Sequence, residues 1–432
     1  MKYITVKEVA DYLGEEVVLK GWVRNYRKAS SKLRFVIFRD GSGDIQLVAS
    51  KPDMGVDEFE KVKMLSLESS LEIVGVPGEH PKIPGKHDIH IKSIKIINIA
   101  DEYPIGKKEH GPDFLLSNRH LWLRAARQNA ALKIRHAVYF AICDYLNRNG
   151  FYRFDSPILT PNACEGTTTL FEVPYFDEGS AYLSQSGQLY LETGIMSLGK
   201  VYDFGPVFRA EKSKTRKHLT EFWMMDAEAA FVEHEENMQI QEELIKYVIE
   251  YILDSNKTEL EILERDTAPL QRACAPFAKI THKEAIEKLR TQGCDIGYED
   301  DFGAVEEDLI TEGSDVPIFV ERWPKNIKAF YMKRDPANED LVLGADLIAP
   351  EGFGEIIGGS QREDDHDILK QRMEEENLPI EPYQWYLDLR KYGSVPHSGF
   401  GIGLERLVQW ISGIRHIREV IPFPRLINRI YP

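Results

Sequence analysis

Apolar and polar positions divide the chain into two regimes. Over residues 16–100 the rhythm is that of short strands. EVVLKGWVRNY, KLRFVIFRDGSGDIQLVAS, SLEIVGVPGEH and DIHIKSIKIINIA are β-rich runs broken by Gly, Pro and Ser. DGSGD, residues 40–44, is a hairpin turn inside the second run. VDEFEKVKMLSLES, between the second and third, is helix-like. Five short strands with one inserted helix predict a small closed barrel in residues 1–100. Pro, Gly and mixed charge mark residues 101–125 as a linker. Helical spacing follows. Ile134, Val138, Ala141, Ile142 and Tyr145 fall on one stripe of a helix from about Gln128 to Asn149, and Gly150 stops it. Residues 232–290 hold acidic amphipathic helices, read as a solvated face without chemistry. The last third sets IKAFYMK, LVLGADLIAP and GEIIGGSQRE, read as strands, before a long helix from about Leu404. Grouped strands with segregated helices predict an α+β body over residues 126–432.

Charge changes this picture only locally. The net charge is −16, yet residues 1–100 are close to neutral, so the acidity lies in the body. Within the barrel, residues 20–39 carry Lys20, Arg24, Arg27, Lys28, Lys32, Arg34 and Arg39 and no acid, with Trp22, Tyr26, Phe35 and Phe38 interleaved. Cations for phosphate and aromatic faces for unpaired bases suit single-stranded RNA on an oligonucleotide-binding (OB) barrel. Trp22 and Phe38 are assigned to the barrel core, and Phe35, alternating with Ile37, to a stacking face. The four cysteines lie far apart with no CxxC pair, which argues against zinc and disulfides and fits a reducing cytoplasm. No apolar run reaches membrane-spanning length, and the N-terminus has no signal-peptide pattern.

Four stretches carry candidate chemistry. Residues 201–231 read as two strands joined by the basic loop KSKTRKH. Arg209 and Glu211, two apart on a strand, share a face, and Phe222 returns across from them. Cation, acceptor and aromatic ring suit a nucleotide; a solvated basic hairpin tip is the plainer alternative. QSGQLYLET, residues 185–193, offers Gln185, Ser186 and Gln188 beside a glycine. LVLGADLIAPEGFGEIIGGSQRE reads as a hairpin around PEGFG. If Asp346 pairs with Ile357 and Glu355 with Ile348, both carboxylates share a face and can hold Mg²⁺ against a triphosphate. PHSGFGIGLERLVQW, residues 396–410, leads three glycines into a helix with Glu405 and Arg406 in its first turn, where anions are favoured.

Two of these stretches, together with FYRFDSPILTP, read as a strand ending at Pro157, resemble the class II aminoacyl-tRNA synthetases. The strand ending at Pro157 is similar to their first motif, FRAE…HLTEF to the second and GFGIGLERL to the third. With an OB barrel in front, the resemblance is to the aspartyl, asparaginyl and lysyl subgroup and covers nearly the whole chain. It implies an antiparallel-sheet catalytic domain, a homodimer, ATP and Mg²⁺ as cofactors, tRNA as partner and no membrane. It implies Arg209 on the α-phosphate, Glu211 at the adenine amino group, Phe222 and Arg406 about the adenine, and His218 on the γ-phosphate. Leu219 and Gly403 complete the ATP set, and Glu355 holds the metal. The subgroup's serine at the metal site is Gly358 here, so Asp346 or water must serve. In the barrel the resemblance implies Arg24, Phe35 and Gln46 as anticodon contacts.

For the amino acid it implies Glu165, Ser186, Gln188, Leu191, Asp226, Arg362 and Arg390. Aspartyl members resemble QSPQLYK, whose lysine meets the substrate carboxylate; QSGQLYL here has Leu191. A carboxylate would then be buried with one cation fewer, which is costly. Arg390 can donate to an amide oxygen. IKAFYMK, EIIGGSQRE and YLDLRKYGSVPHSGFG are closer to asparaginyl patterns, while Asp226 is the residue more common in aspartyl members. The reading is therefore L-asparagine attached to tRNA(Asn), with an aspartyl enzyme as alternative. An asparagine synthetase A-like ligase lacks the barrel, and an RNA-binding paralogue without activity does not need Arg209, Glu355 and Arg406.

Overall fold

The computed structural model describes residues 2–106, 108–164, 170–213 and 215–432, leaving aside the side chain of Glu178. The chain falls into two units, Met1–Gly111 and Pro112–Pro432.

The first unit is a closed barrel. Strands Val17–Lys28, Leu33–Arg39, Asp44–Ser50, His87–Asn98 and Ser70–Glu79 pair in that order, and the last pairs back to the first. Alternation sends Leu19, Val23, Val36, Phe38, Leu47 and Ile73 inward. Helix Val56–Lys63 adds Phe59 and Val62 to that core. The DGSGD turn is held by Asp40, whose Oδ1 accepts from the backbone N–H of Ser42 at 2.7 Å and of Gly43 at 3.0 Å. Trp22 departs from its assignment: it is 42 % exposed while Phe38 is fully buried. Trp22 lies on the outer face of its strand, where Arg39 covers its ring at 5.4 Å.

The second unit is built on a sheet whose strands run, side by side, Ala278–Thr281, Ile318–Pro324, Asn338–Ala349, Gly354–Gln361, His397–Gly403, Glu221–Ala230, Lys200–Tyr202 and Tyr152–Arg153. Most neighbours are antiparallel. Period two separates the faces. Met225, Ala227, Ala229, Ala345, Leu347, Phe400 and Ile402 point into the core formed with helices Ala126–Arg148 and His234–Ser255. The alternating positions, among them Asp226, Glu228 and Gly401, face the other way. Helix His234–Ser255 is thus more than a solvated surface: Leu244, Ile245, Val248, Ile249 and Ile252 are fully buried.

Residues 112–122, expected in the linker, form helices Pro112–Ser117 and Arg119–Trp122, and Arg119 is fully buried with carbonyls of Glu419, Ile421 and Pro422 as acceptors. IKAFYMK is not a strand. A short 3-10 turn, Lys325–Ile327, leads into a turn that buries Phe330 and Tyr331 against Tyr383 and Tyr386, so side-chain burial overrides the strand pattern. The helix from Leu404 is short, Leu404–Ser412, and ends at Gly413 with φ +71°.

Candidate active site

A cavity of about 750 Å³ opens on the face of the sheet away from the helices. Its organising element is strand Glu221–Ala230. Phe222, Met224, Asp226 and Glu228 succeed one another on one face, a run of about 20 Å at ~3.3 Å per residue. Opposite Met224, Asp226 and Glu228 stand Gly403, Gly401 and Gly399 of the neighbouring strand. A Cβ at Gly399 would sit 2.0 Å from a Glu228 carboxylate oxygen, and one at Gly401 2.6 Å from an Asp226 oxygen. The glycines give up their side chains so that carboxylates can lie on the sheet.

Around Phe222 the structure gathers the groups expected for a nucleotide. Strand Gly205–Phe208 pairs Val207 with Phe222 and ends one residue before Arg209. Arg209 and Glu211 therefore sit in the loop, not on the strand, and strand alternation is not what aims them. Both still line the cavity, as do His218, Leu219, Gly403 and Arg406. The Arg209 guanidinium lies 5.5 Å from the centre of the Phe222 ring. Its Nε is buried without a partner among the described residues, a cationic N–H suited to an anion. Arg406 donates to the Glu355 carbonyl at 2.9 Å and to its carboxylate at 3.2 Å. Burial, and then Arg406, push the His218 imidazole below its ordinary pKa. Next to it Lys217 reaches Glu307 at 3.3 Å and Asp308 at 3.4 Å, tying the basic loop to helix Ala304–Ile310.

The hairpin register differs from expectation. Asp346 pairs with Gly358, not Ile357, because a bulge between Leu347 and Ile348 absorbs one residue; Glu355 does face Ile348. Both carboxylates nonetheless converge. A Cβ on Gly358 would lie 3.2 Å from Glu355 Oε1 and 3.7 Å from Asp346 Oδ1. Hard oxygen donors about a space left by a missing side chain fit Mg²⁺. Each also has a cation: Asp346 binds Lys328 at 2.6 Å, a residue the sequence did not flag. Against the burial that would raise it, Arg406, Lys328 and Arg209 hold Glu355 below the usual carboxylate range.

Further along the strand lie Ser186, Gln188, Asp226 and Arg362, all lining the cavity. Asp226 accepts from Ser186 Oγ at 2.9 Å and from the Gly187 N–H at 2.8 Å. Behind Gly187 is Asp203, pushed up to about 8 by burial and then by Asp226; a Cβ on Gly187 would strike it at 1.8 Å. Arg362 is clamped on Glu228, with Nε at 3.1 Å, and donates to Ser360 Oγ at 2.7 Å. Burial raises Glu228 and Arg362 opposes that rise, while Glu192 and Asp226 add to it. Glu228 escaped the sequence reading, although its place two residues past Asp226 is a sufficient signal.

Two assigned residues do not reach the cavity. Leu191 is fully buried with Ile195, Val201 and Ala230, on the side of its helix turned to the core. Arg390 is fully buried too; its guanidinium binds Glu192, the Tyr386 hydroxyl and the Glu363 carbonyl. Neither can touch a bound amino acid as placed, so both assignments are corrected. Glu165 lies outside the described residues.

In the barrel, Arg24 is ion-paired with Asp44. Phe35 is half-buried beneath Arg27, 5.1 Å from its ring centre. Gln46 Nε2 bonds both carboxylate oxygens of Asp88 at 3.2 Å. Trp22 and Tyr26, 42 % and 45 % exposed, extend the aromatic surface beyond the expected residue.

Comparison with known proteins places both units in described families. The model of the family described as tRNA synthetases class II (D, K and N) matches residues 111–427. That of the OB-fold nucleic acid binding domain matches residues 17–97. The chain is 51 % identical over 432 residues to the asparagine–tRNA ligase of Pelotomaculum thermopropionicum, covering 100 % of both chains. Among solved structures, the asparaginyl-tRNA synthetase of Pyrococcus horikoshii complexed with asparaginyl-adenylate is similar with a TM-score of 0.95 and 43 % identity, over 99 % of each chain. The aspartyl tRNA synthetase of Entamoeba histolytica is similar with a TM-score of 0.86 and 28 % identity, over 100 % of this chain and 93 % of that one.

Proposed function

The chain belongs to the class II tRNA synthetases of the D, K and N group and, within it, to the asparagine–tRNA ligases, and from that premise we propose which of its residues carry the reaction. The reaction is the ATP-dependent attachment of L-asparagine to tRNA(Asn) through an asparaginyl-adenylate, with release of AMP and pyrophosphate. In the first half an oxygen of the asparagine α-carboxylate attacks the α-phosphorus, and the bond to the bridging oxygen of pyrophosphate breaks. In the second, the terminal ribose 3′-hydroxyl of the tRNA attacks the adenylate carbonyl and AMP leaves. Neither half needs a nucleophile from the protein.

Arg209 stabilises the charge that develops on the α-phosphoryl oxygens; its unpartnered buried Nε is the observation that carries this assignment. Phe222 and Arg406 hold the adenine, Glu211 accepts from its amino group, and His218 with the basic loop meets the terminal phosphates. Glu355 and Asp346 would hold Mg²⁺. That ion, when bound, neutralises charge on the triphosphate and the departing pyrophosphate. Asp226 takes the ligand's ammonium, with Ser186 and Gln188 beside it. Arg362, which lines the cavity, reads the side chain by donating to the amide oxygen, and Glu228, buried behind it, holds the guanidinium in place. This pair, rather than Leu191, carries the preference for asparagine over aspartate. Arg24, Phe35, Gln46 and the exposed aromatics of the barrel contact the anticodon.

We also propose a homodimer, supported by the exposed Tyr152, Ile158 and Leu159 in the segment through Pro157 and by the exposed Phe140 of helix Ala126–Arg148. Four free cysteines suit a cytoplasmic setting. The test is ATP–pyrophosphate exchange with asparagine, aspartate and lysine in parallel. Asparagine should support it best, and Arg209→Ala should lower it about a hundredfold or more in a folded protein. Faster exchange with aspartate would shift the reading to an aspartyl enzyme. Parental exchange by Arg209→Ala would remove the nucleotide from this end of the cavity.

A further inference from the structure

Behind the wall of the cavity lies a group of buried charges that the reaction as described does not use. Helix Gln188–Leu198 begins with Gln188 in the cavity and places Glu192 one turn on, fully buried beneath it. Gln188 Nε2 donates to Glu192 Oε1 at 3.2 Å. The other oxygen, Oε2, accepts from Arg390 Nη2, from His397 Nε2 at 3.0 Å and from the Tyr386 hydroxyl at 2.9 Å. Arg390 in turn donates through Nε to the Glu363 carbonyl at 2.9 Å, and Glu363 adjoins Arg362. His397 opens the strand whose glycines floor the site. One carboxylate thus ties the helix that presents Gln188, the strand end that presents Arg362 and the floor between them.

We propose that Glu192 is a positioning residue that fixes the amino-acid end of the site and, by its charge, sets its preference for an amide over a carboxylate. Two consequences of the network lead there. Gln188, with Nε2 committed to Glu192, turns its carbonyl oxygen to the cavity as an acceptor for a ligand N–H. Second, the two guanidiniums at this end of the site already hold carboxylates. Arg362 is paired with Glu228 and Arg390 with Glu192. An aspartate side chain entering there finds no unmatched cation, whereas an amide needs none. Arg390 and then His397 hold the Glu192 carboxyl well below the usual range in spite of its burial, so it keeps its charge.

The inference rests on the reading of this cavity end as the amino-acid site. It is tested with the full-length enzyme by pyrophosphate exchange, measuring KM for asparagine, aspartate and ATP separately. Glu192→Gln keeps the shape and leaves Arg390 unmatched. Its KM for asparagine should rise about tenfold, its asparagine-to-aspartate ratio of kcat/KM should fall tenfold or more, and its KM for ATP should stay within twofold. A purely structural role would move all three constants together or none, and either result overturns the proposal. If Glu192→Gln does not fold, Tyr386→Phe removes one bond to the carboxylate at constant charge. It should raise the KM for asparagine several-fold without touching that for ATP, and an unchanged asparagine KM overturns the positioning role. Arg362→Ala separates the two readings. Loss of asparagine-dependent exchange there, with a parental profile in Glu192→Gln, refutes Glu192 alone; full activity in Arg362→Ala refutes the pocket itself.

Discussion

Arg362 and Glu228 satisfy each other before any ligand arrives, and so do Arg406 and Glu355. Arg209 differs from these two arginines in keeping a buried N–H, Nε, without a partner among the described residues, and it does so inside the cavity. Leu191 illustrates the opposite case. As a fully buried core side chain it can be exchanged for lysine only by placing an ammonium among Ile195, Val201 and Ala230. Leu191→Lys should therefore destabilise the protein by about 3 kcal/mol or more and leave the choice between asparagine and aspartate in the folded fraction unchanged. Urea unfolding together with the exchange ratio decides; a stable variant that gains aspartate activation would return Leu191 to the pocket. The residues assigned from FRAE…HLTEF and GFGIGLERL line the cavity because their spacing along chain and strand is local. The Arg390–Glu192 pair spans 198 positions, and no periodicity connects two such distant side chains.

Elements were readable to the extent that burial follows one period. Strand Glu221–Ala230 alternates apolar and acidic residues from Met225 to Ala229, so its core face there follows from the sequence, although Asp226 and Glu228 are as buried as their neighbours. The bulge between Leu347 and Ile348 has no sequence mark, and it alone displaced the expected partner of Asp346. IKAFYMK has the composition of a strand but lies where the chain must turn to bury two aromatics. A second buried group shows how an element answers to pH. His282 opens helix His282–Thr291 and stacks on Phe302 at 5.2 Å, with Trp323 at 4.6 Å. Burial, and then Lys328, push its pKa down to about 4. The unfolded chain therefore binds the proton more readily. The stabilisation is complete above pH ~6.5 and fades as pH falls towards ~4, in total about 3 kcal/mol. His282→Phe should flatten this slope. Parallel unfolding curves for parent and variant between pH 7 and pH 4.5 would show it, and equal pH dependence would refute it.

At the scale of the whole molecule, the acid-free stretch 20–39 belongs to one unit and the cavity to the other. Each unit has a core of its own. Removal of residues 1–111 should spare asparagine-dependent pyrophosphate exchange within a few-fold and lower tRNA charging by two orders of magnitude or more, since barrel contacts with RNA are lost. Charging by the intact enzyme should also weaken steeply with salt at limiting tRNA, while exchange does not. A truncated protein that charges tRNA at the parental rate would take the barrel out of recognition. Both units are unbroken runs of sequence that meet once, between Gly111 and Pro112. A single recombination at that junction can therefore replace the part that reads RNA without cutting a strand or helix of the part that activates the amino acid. Lineages can then revise which tRNA is served and which amino acid is chosen as separate inherited traits.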